Sequence, residues 1–122
     1  MAPAKKTILI VDDEKTTCEV LKEMIETLGY NTLTAQDGVA AIELFRKENP
    51  DLVISDINMP KMDGMELLRQ LKEINEDAKI IILTGFPSAD TIIETIENEG
   101  FTYLVKPVKL SSLEAVILRA FE

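Results

Sequence analysis

The 122-residue chain carries 13 basic and 22 acidic residues, a formal net charge of −9, with one Cys and no His. At ~100–200 residues per domain that is one domain, and 46% hydrophobic residues with five Gly and five Pro read as globular, not disordered. The absence of His excludes His-based metal ligation, a His general base and a Ser-His-Asp triad. One Cys excludes an internal disulfide and a Cys-built zinc site. The acidic balance excludes direct nucleic-acid backbone binding, which needs Lys and Arg to replace counterions.

In chain order, Met1 to Lys6 reads as a flexible lead-in without a secretory signal pattern. No apolar run approaches the ~18–20 residues of a membrane span, so the expected address is the cytoplasm, with no membrane partner. The first strand is Ile8 to Val11. A helix follows, with Val20, Leu21, Met24, Ile25 and Leu28 on its apolar face and Gly29 as its stop. Thr32 to Ala35 is the second strand. The next helix is opened by Asp37-Gly38, marked by Val39, Ile42, Leu44 and Phe45, and closed before Pro50. Leu52 to Ile54 is the third strand, and Met65, Leu67, Leu68, Leu71 and Ile74 mark the third helix. After the fourth strand, Ile80 to Leu83, comes a helix capped by Ser88, marked by Ile92, Ile93 and Ile96, and stopped by Gly100. Phe101 to Val105 is the fifth strand. Leu110, Leu113, Val116, Ile117 and Phe121 mark the last helix.

Strands one, three and four are apolar throughout, which suits a parallel sheet buried on both faces. Strict strand–helix alternation requires right-handed crossovers and helices on both faces. The expected fold is therefore α/β, a doubly wound five-stranded parallel sheet of order 2-1-3-4-5. Ligands of such folds sit beyond the carboxyl ends of the strands.

Those ends carry Asp12-Asp13-Glu14, Ser55-Asp56, Thr84-Gly85 and Lys106-Pro107. Each has an ordinary reading: Asp12-Asp13 as a helix cap, Asp56 as a turn residue, Thr84 as a local hydrogen-bonder, Lys106 as a solvated charge. Together they are different. Three convergent carboxylates repel one another unless a cation intervenes, and hard oxygen donors favour Mg²⁺ or a similar ion such as Mn²⁺. A metal and an ammonium around one carboxylate meet the requirements of phosphoryl transfer. Asp56, between the other strand ends, is the expected nucleophile, becoming an aspartyl phosphate.

The motifs ILIVDDE at 8–14, DLVISDINMPKMDG at 51–64, IIILTG at 80–85 and YLVKP at 103–107 stand in order, each at a strand end. From Lys6 to Phe121 the chain resembles the receiver domain of bacterial two-component response regulators, similar to the chemotaxis regulators. The resemblance implies that Asp56 is the phosphoacceptor. It implies that Asp13 binds the divalent ion directly and Asp12 mainly through water, with Asp56 and the Asn58 carbonyl completing the protein ligands. Thr84 would hydrogen-bond the phosphoryl group and Lys106 pair with it, while Tyr103 turns inward as the switch aromatic. Pro60 and Gly64 would shape the loop after the acceptor, and Lys106-Pro107 would carry a cis peptide, cheap only before proline. The phosphate would come from a phosphohistidine on a histidine kinase or phosphotransfer protein.

Two look-alikes fail. Asp56-Ile57-Asn58 begins like a calcium loop, but Pro60 and Lys61 replace a ligand and the required Gly. A flavodoxin-type nucleotide binder needs a glycine- or hydroxyl-rich phosphate loop where this chain has Asp-Asp-Glu. Two functional alternatives stay open: a small metal-dependent phosphohydrolase, although Asn58 stands where a second acid is usual, and a degenerate receiver that only mediates contacts.

Gly85 permits close approach to a phosphoryl group. Phe86 has two readings, a shield against water over the acyl phosphate or packing on the fourth helix, and Pro87 restrains the loop. From Leu110 to Phe121 eight of twelve residues are apolar, more than one core stripe needs, with Ala115 and Leu118 the surplus. Asp90, Glu94, Glu97 and Glu99 make the fourth helix acidic. A partner surface for an effector or a second copy is expected on helix four, strand five and helix five. Cys18 reads as a small buried residue, and Met59, Met62 and Met65 as gap-fillers around the acceptor loop.

Overall fold

Alternating strands and helices give a three-layer arrangement in the computed structural model, which describes residues 5–122. The lead-in expected at residues 1–6 therefore lies mostly outside the described residues; Lys5 and Lys6 are exposed. The elements are β1 (Thr7–Val11), α1 (Lys15–Thr27), β2 (Asn31–Ala35), α2 (Gly38–Glu48), β3 (Leu52–Asp56), α3 (Gly64–Ile74), β4 (Ile80–Thr84), α4 (Ala89–Glu97), β5 (Thr102–Val105) and α5 (Leu110–Ala120). All strand pairs are parallel, in the order β2-β1-β3-β4-β5.

β-Branched and leucine runs make β3 and β4 buried at every position, and their side chains alternate between two cores. Leu9, Val11, Val53, Ile80 and Ile82 join α2 and α3 residues such as Phe45, Leu67, Leu68 and Leu71 on one face. Ile8, Ile10, Ile54, Ile81 and Leu83 join Leu21 and Ile25 of α1 and Leu113 and Ile117 of α5 on the other. Polar capping closes the helices locally. Asp37, Asp63 and Ser88 each accept a hydrogen bond from a first-turn amide of α2, α3 and α4, and Gly29, at φ +99°, supplies the left-handed turn after α1.

Several apolar positions expected inside are outside. Val20 and Val39 are exposed, their places in the core taken by Cys18 and Ala41. Ile74 is exposed at the end of α3. The largest correction is α4, where Ile93 and Ile96 are exposed, Ile92 is half-buried, and the one buried residue is Thr95. The cause is local. Thr95 returns its hydroxyl hydrogen to the Thr91 carbonyl at 2.8 Å, so the polar group is satisfied within the helix. Its methyl group then packs where a Cβ on Gly100 would lie 2.8 Å away. Gly100 thus leaves room for Thr95 on the inner face, while Ile93 and Ile96 lie on the solvent side. On α5, Ala115 and Leu118 are exposed as expected, but Leu110, expected on the apolar face with Leu113 and Ile117, is exposed as well.

Candidate functional site

The carboxyl ends of β1, β3, β4 and β5 bring Asp12, Asp13, Asp56, Thr84 and Lys106 to one rim. Asp12 is fully buried and Asp13 exposed, and one carboxylate oxygen from each of Asp12, Asp13 and Asp56 lies within 4.8 Å of the others. Lys106 Nζ reaches Asp12 Oδ2 at 3.1 Å and Asp56 Oδ1 at 3.0 Å. The β4–β5 register carries it there: Thr84 pairs with Val105, and the Lys106 N–H donates to the Thr84 carbonyl at 2.8 Å. The Lys106–Pro107 peptide is cis, as expected.

Asp12 is held on both oxygens, since its Oδ1 accepts the Glu14 N–H at 2.9 Å. That turn sets the entry to α1, whose N-cap, Glu14, makes no side-chain cap bond. The helix-cap reading of Asp12-Asp13 is therefore not realised. Cys18 lies buried behind the site, its thiol donating to the Asp12 carbonyl at 3.4 Å. Burial pushes that thiol above its ordinary pKa, and the Asp12 charge adds to the shift.

Burial also raises the Asp56 pKa. The Lys106 hydrogen bond opposes this without cancelling it, and the Asp12 charge reinforces it. Burial works to lower the Lys106 pKa, but its hydrogen bonds to Asp56 and Asp12 outweigh that and leave it raised. The pocket is thus a desolvated acid beside a firmly protonated ammonium, with more carboxylates than the ammonium can balance. Such a hard, all-oxygen donor set fits a divalent cation of the Mg²⁺ class.

Thr84 is buried, its hydroxyl accepting the Phe86 N–H at 3.2 Å. Tyr103 pairs with Ile82, so by strand alternation it shares a sheet face with Thr84, and it is half-buried against that core. Gly64 opens α3 where a Cβ would sit 2.5 Å from the Asp56 carbonyl oxygen and 2.9 Å from the Ile57 Cα. Only glycine fits at this position. Gly85 differs, because a Cβ there would meet nothing within 4 Å. Phe86 is 90% exposed. It neither packs on α4 nor covers the site.

The family model for the response regulator receiver domain matches residues 8–118. The chain belongs to that family. It is a receiver module of two-component phosphorelay signalling, and the family is one of phosphoacceptors. Among curated proteins, the sporulation initiation phosphotransferase F of Bacillus subtilis is 36% identical over 110 residues, covering 90% of this chain and 89% of that protein. The transcriptional regulatory protein ZraR of Klebsiella oxytoca is 33% identical over 120 residues, covering 98% of this chain but 27% of that protein. This receiver therefore spans about a quarter of the length of such regulators. Among solved structures, a receiver domain protein from Clostridium thermocellum superposes with a TM-score of 0.90 at 36% identity, covering 94% of this chain and 93% of that one.

Sequence patterning left three features of the acceptor loop unassigned. Lys61 adopts φ +70°, Met62 packs onto Gly38 at the start of α2, and Asp63 caps α3 through the Glu66 N–H at 2.9 Å. Asp63 followed three residues later by Glu66 is a visible capping spacing, whereas the Asp-Gly pair at 37–38 marks a helix start and not the contact with Met62.

Proposed function

We propose that the chain is a single receiver domain in which Asp56 accepts a phosphoryl group from a phosphohistidine of a histidine kinase or phosphotransfer protein. The supporting observation is Lys106, placed within 3.1 Å of both Asp12 and Asp56 in a pocket of three carboxylates. A carboxylate oxygen of Asp56 attacks phosphorus. The new O–P bond forms as the P–N bond breaks, and the imidazole leaves with the electron pair and takes a proton from solvent. Asp12, Asp13, Asp56 and the Asn58 carbonyl would hold Mg²⁺ or Mn²⁺. The ion, when bound, supplies neutralisation of the charge crowded among the carboxylates and phosphoryl oxygens.

Lys106 offers a second positive group to the phosphoryl oxygens from a position its ion pairs already fix. Thr84 offers its hydroxyl to the phosphoryl group, and Tyr103 on the same sheet face moves inward with it. Pro60, Gly64 and Pro107 fix the surrounding loops, and Gly85 keeps space open above Thr84. Turnover is limited to acceptance from small phosphodonors and slow loss of the phosphate. The output surface is α4, β5 and α5, where Ile93, Ile96, Val105 and Leu118 are exposed beside Asp90, Glu94 and Glu97. It suits a basic effector or a second copy. No helix among the described residues is long and apolar enough to cross a membrane, in keeping with a cytoplasmic address.

The experiment is incubation with acetyl phosphate and Mg²⁺ followed by intact mass. A single phosphoryl adduct forms, and Asp56→Asn abolishes it. Substrate turnover without an adduct would instead indicate a phosphohydrolase, and neither an adduct nor turnover a contact-only receiver.

A further inference from the structure

The 57–63 loop after Asp56 is held by backbone bonds at its base and within it. The Ile57 N–H donates to the Leu83 carbonyl at 2.9 Å, and the Gly64 N–H returns to the Ile57 carbonyl at 2.9 Å, closing the loop at its base. Between them the Met62 N–H donates to the Pro60 carbonyl at 2.8 Å, around Lys61 at φ +70°. An i→i+2 bond about a positive-φ residue is the strained form of the γ-turn. Strain of this kind persists only where surrounding structure holds it.

The hold on this turn comes from another element. Gly38, the first residue of α2, is buried. A Cβ built there would run into Met62 Sδ and lie 3.0 Å from Met62 Cβ and Cγ. The Met62 side chain therefore occupies the space that any other residue at 38 would fill. That seat joins the acceptor loop to α2, whose N-cap, Asp37, is fixed by its own bond to the Ala40 N–H at 2.8 Å.

We propose that Gly38 and Met62 form a positioning pair that keeps the acceptor loop, and with it the Asn58 carbonyl, in place for the divalent ion. The inference rests on the reading of Asn58 as a ligand-bearing residue. Neither Gly38 nor Met62 touches the ion; each acts through the strained turn. Outer groups that orient metal ligands typically change affinity by ~10–100-fold when removed, so the pair falls within reach of measurement.

The test measures Mg²⁺ binding by calorimetry on the full chain, unaltered and as Gly38→Ala, Met62→Ala and the double variant. Acetyl phosphate reactions are run across Mg²⁺ concentrations and read by intact mass. Each single variant is expected to weaken Mg²⁺ binding about tenfold. The double variant is no weaker than the worse single, because the two changes act on one shared seat and the methyl group added by Gly38→Ala takes space that the shortened side chain at 62 has left. In the phosphorylation reaction the half-saturating Mg²⁺ concentration rises more than the rate at saturating Mg²⁺ falls, which simple loss of folded protein would not produce. Met62→Ala, at a half-buried position, retains the fold and carries the test if Gly38→Ala does not. Unchanged Mg²⁺ affinity in Met62→Ala, or additive losses in the double variant, overturns the pair while leaving the site reading intact. Absence of Mg²⁺ binding by the unaltered chain overturns both.

Discussion

The two loops that border Asp56 and Thr84 are built in opposite ways. The 57–63 loop is closed by backbone bonds at its base, bent through a left-handed residue at Lys61 and plugged into Gly38 by Met62. The 85–88 loop has little holding it. Space is open around Gly85, Phe86 stands in solvent, and the Phe86 N–H to Thr84 Oγ1 bond spans 3.2 Å. Segments with few buried contacts open at low cost, and moving elements are drawn from them. The first loop suits a fixed arrangement of ligand groups. The second suits a response, because a hydroxyl engaged by one backbone amide is easily redirected toward a new anion.

The sharpest way to break that contrast is one substitution made at the closing residue of the first loop and within the second. Gly64→Ala places a methyl group 2.5 Å from the Asp56 carbonyl oxygen and 2.9 Å from the Ile57 Cα. Both are backbone atoms, so no side chain can swing away. Overpacking of this kind costs about 3 kcal/mol or more, a fall in Tm of roughly 10 °C for a domain of this size. Gly85→Ala meets open space and stays within about 0.5 kcal/mol of the unaltered protein. Thermal unfolding of the two variants side by side checks this, and equal losses would erase the distinction between the loops.

A smaller effect is expected at Thr84. Thr84→Ala leaves Asp56, Asp12 and Lys106 in place, so the phosphoryl adduct still forms by intact mass. It removes a charge-assisted hydrogen bond worth ~1.5–3 kcal/mol, whereas driving a two-state equilibrium from 1:99 to 99:1 takes ~5.5 kcal/mol. Thr84 therefore supplies part of the switch, and Lys106 and the burial of Tyr103 supply the rest. The expected result is an active-to-inactive ratio lowered by roughly ten- to hundredfold, read from the Tyr103 ring resonances on phosphorylation. A full Tyr103 response in Thr84→Ala would show that the open loop is not the route of coupling.

How far the sequence foretold these features depends on the range of the interactions. The sheet order and the rim residues were legible because apolar runs fix buried strands and the motif at each strand end is contiguous. Ser88 and Gly29 were legible because caps and turns are local chemistry. The orientation of α4 was not. Ile92, Ile93 and Ile96 satisfy helical periodicity, but Thr95 is inside because Gly100, beyond the end of the helix, leaves room for it. Val20 and Val39 are likewise outside, while the smaller Cys18 and Ala41 hold buried positions on the same helices. The Met62 contact with Gly38 joins residues far apart in sequence, and nothing in either neighbourhood announces the other.

The smallest expected effect is at Phe86, and it bears on the open loop most directly. An aromatic ring beside the site looks like a shield or an anchor. At 90% exposure it is neither in this conformation. Truncation of a buried Phe costs ~3–5 kcal/mol. A side chain already in water has no such burial to lose, so Phe86→Ala is expected to change stability by less than about 0.5 kcal/mol. Denaturant unfolding checks the value, with an unchanged m-value expected because the surface exposed on unfolding is the same. A loss of 2 kcal/mol or more, well above what surface changes give, would mean that Phe86 spends its time packed and that the 85–88 loop is closed. In that event the two loops would no longer differ in kind, and the ease of redirecting Thr84 would need another source.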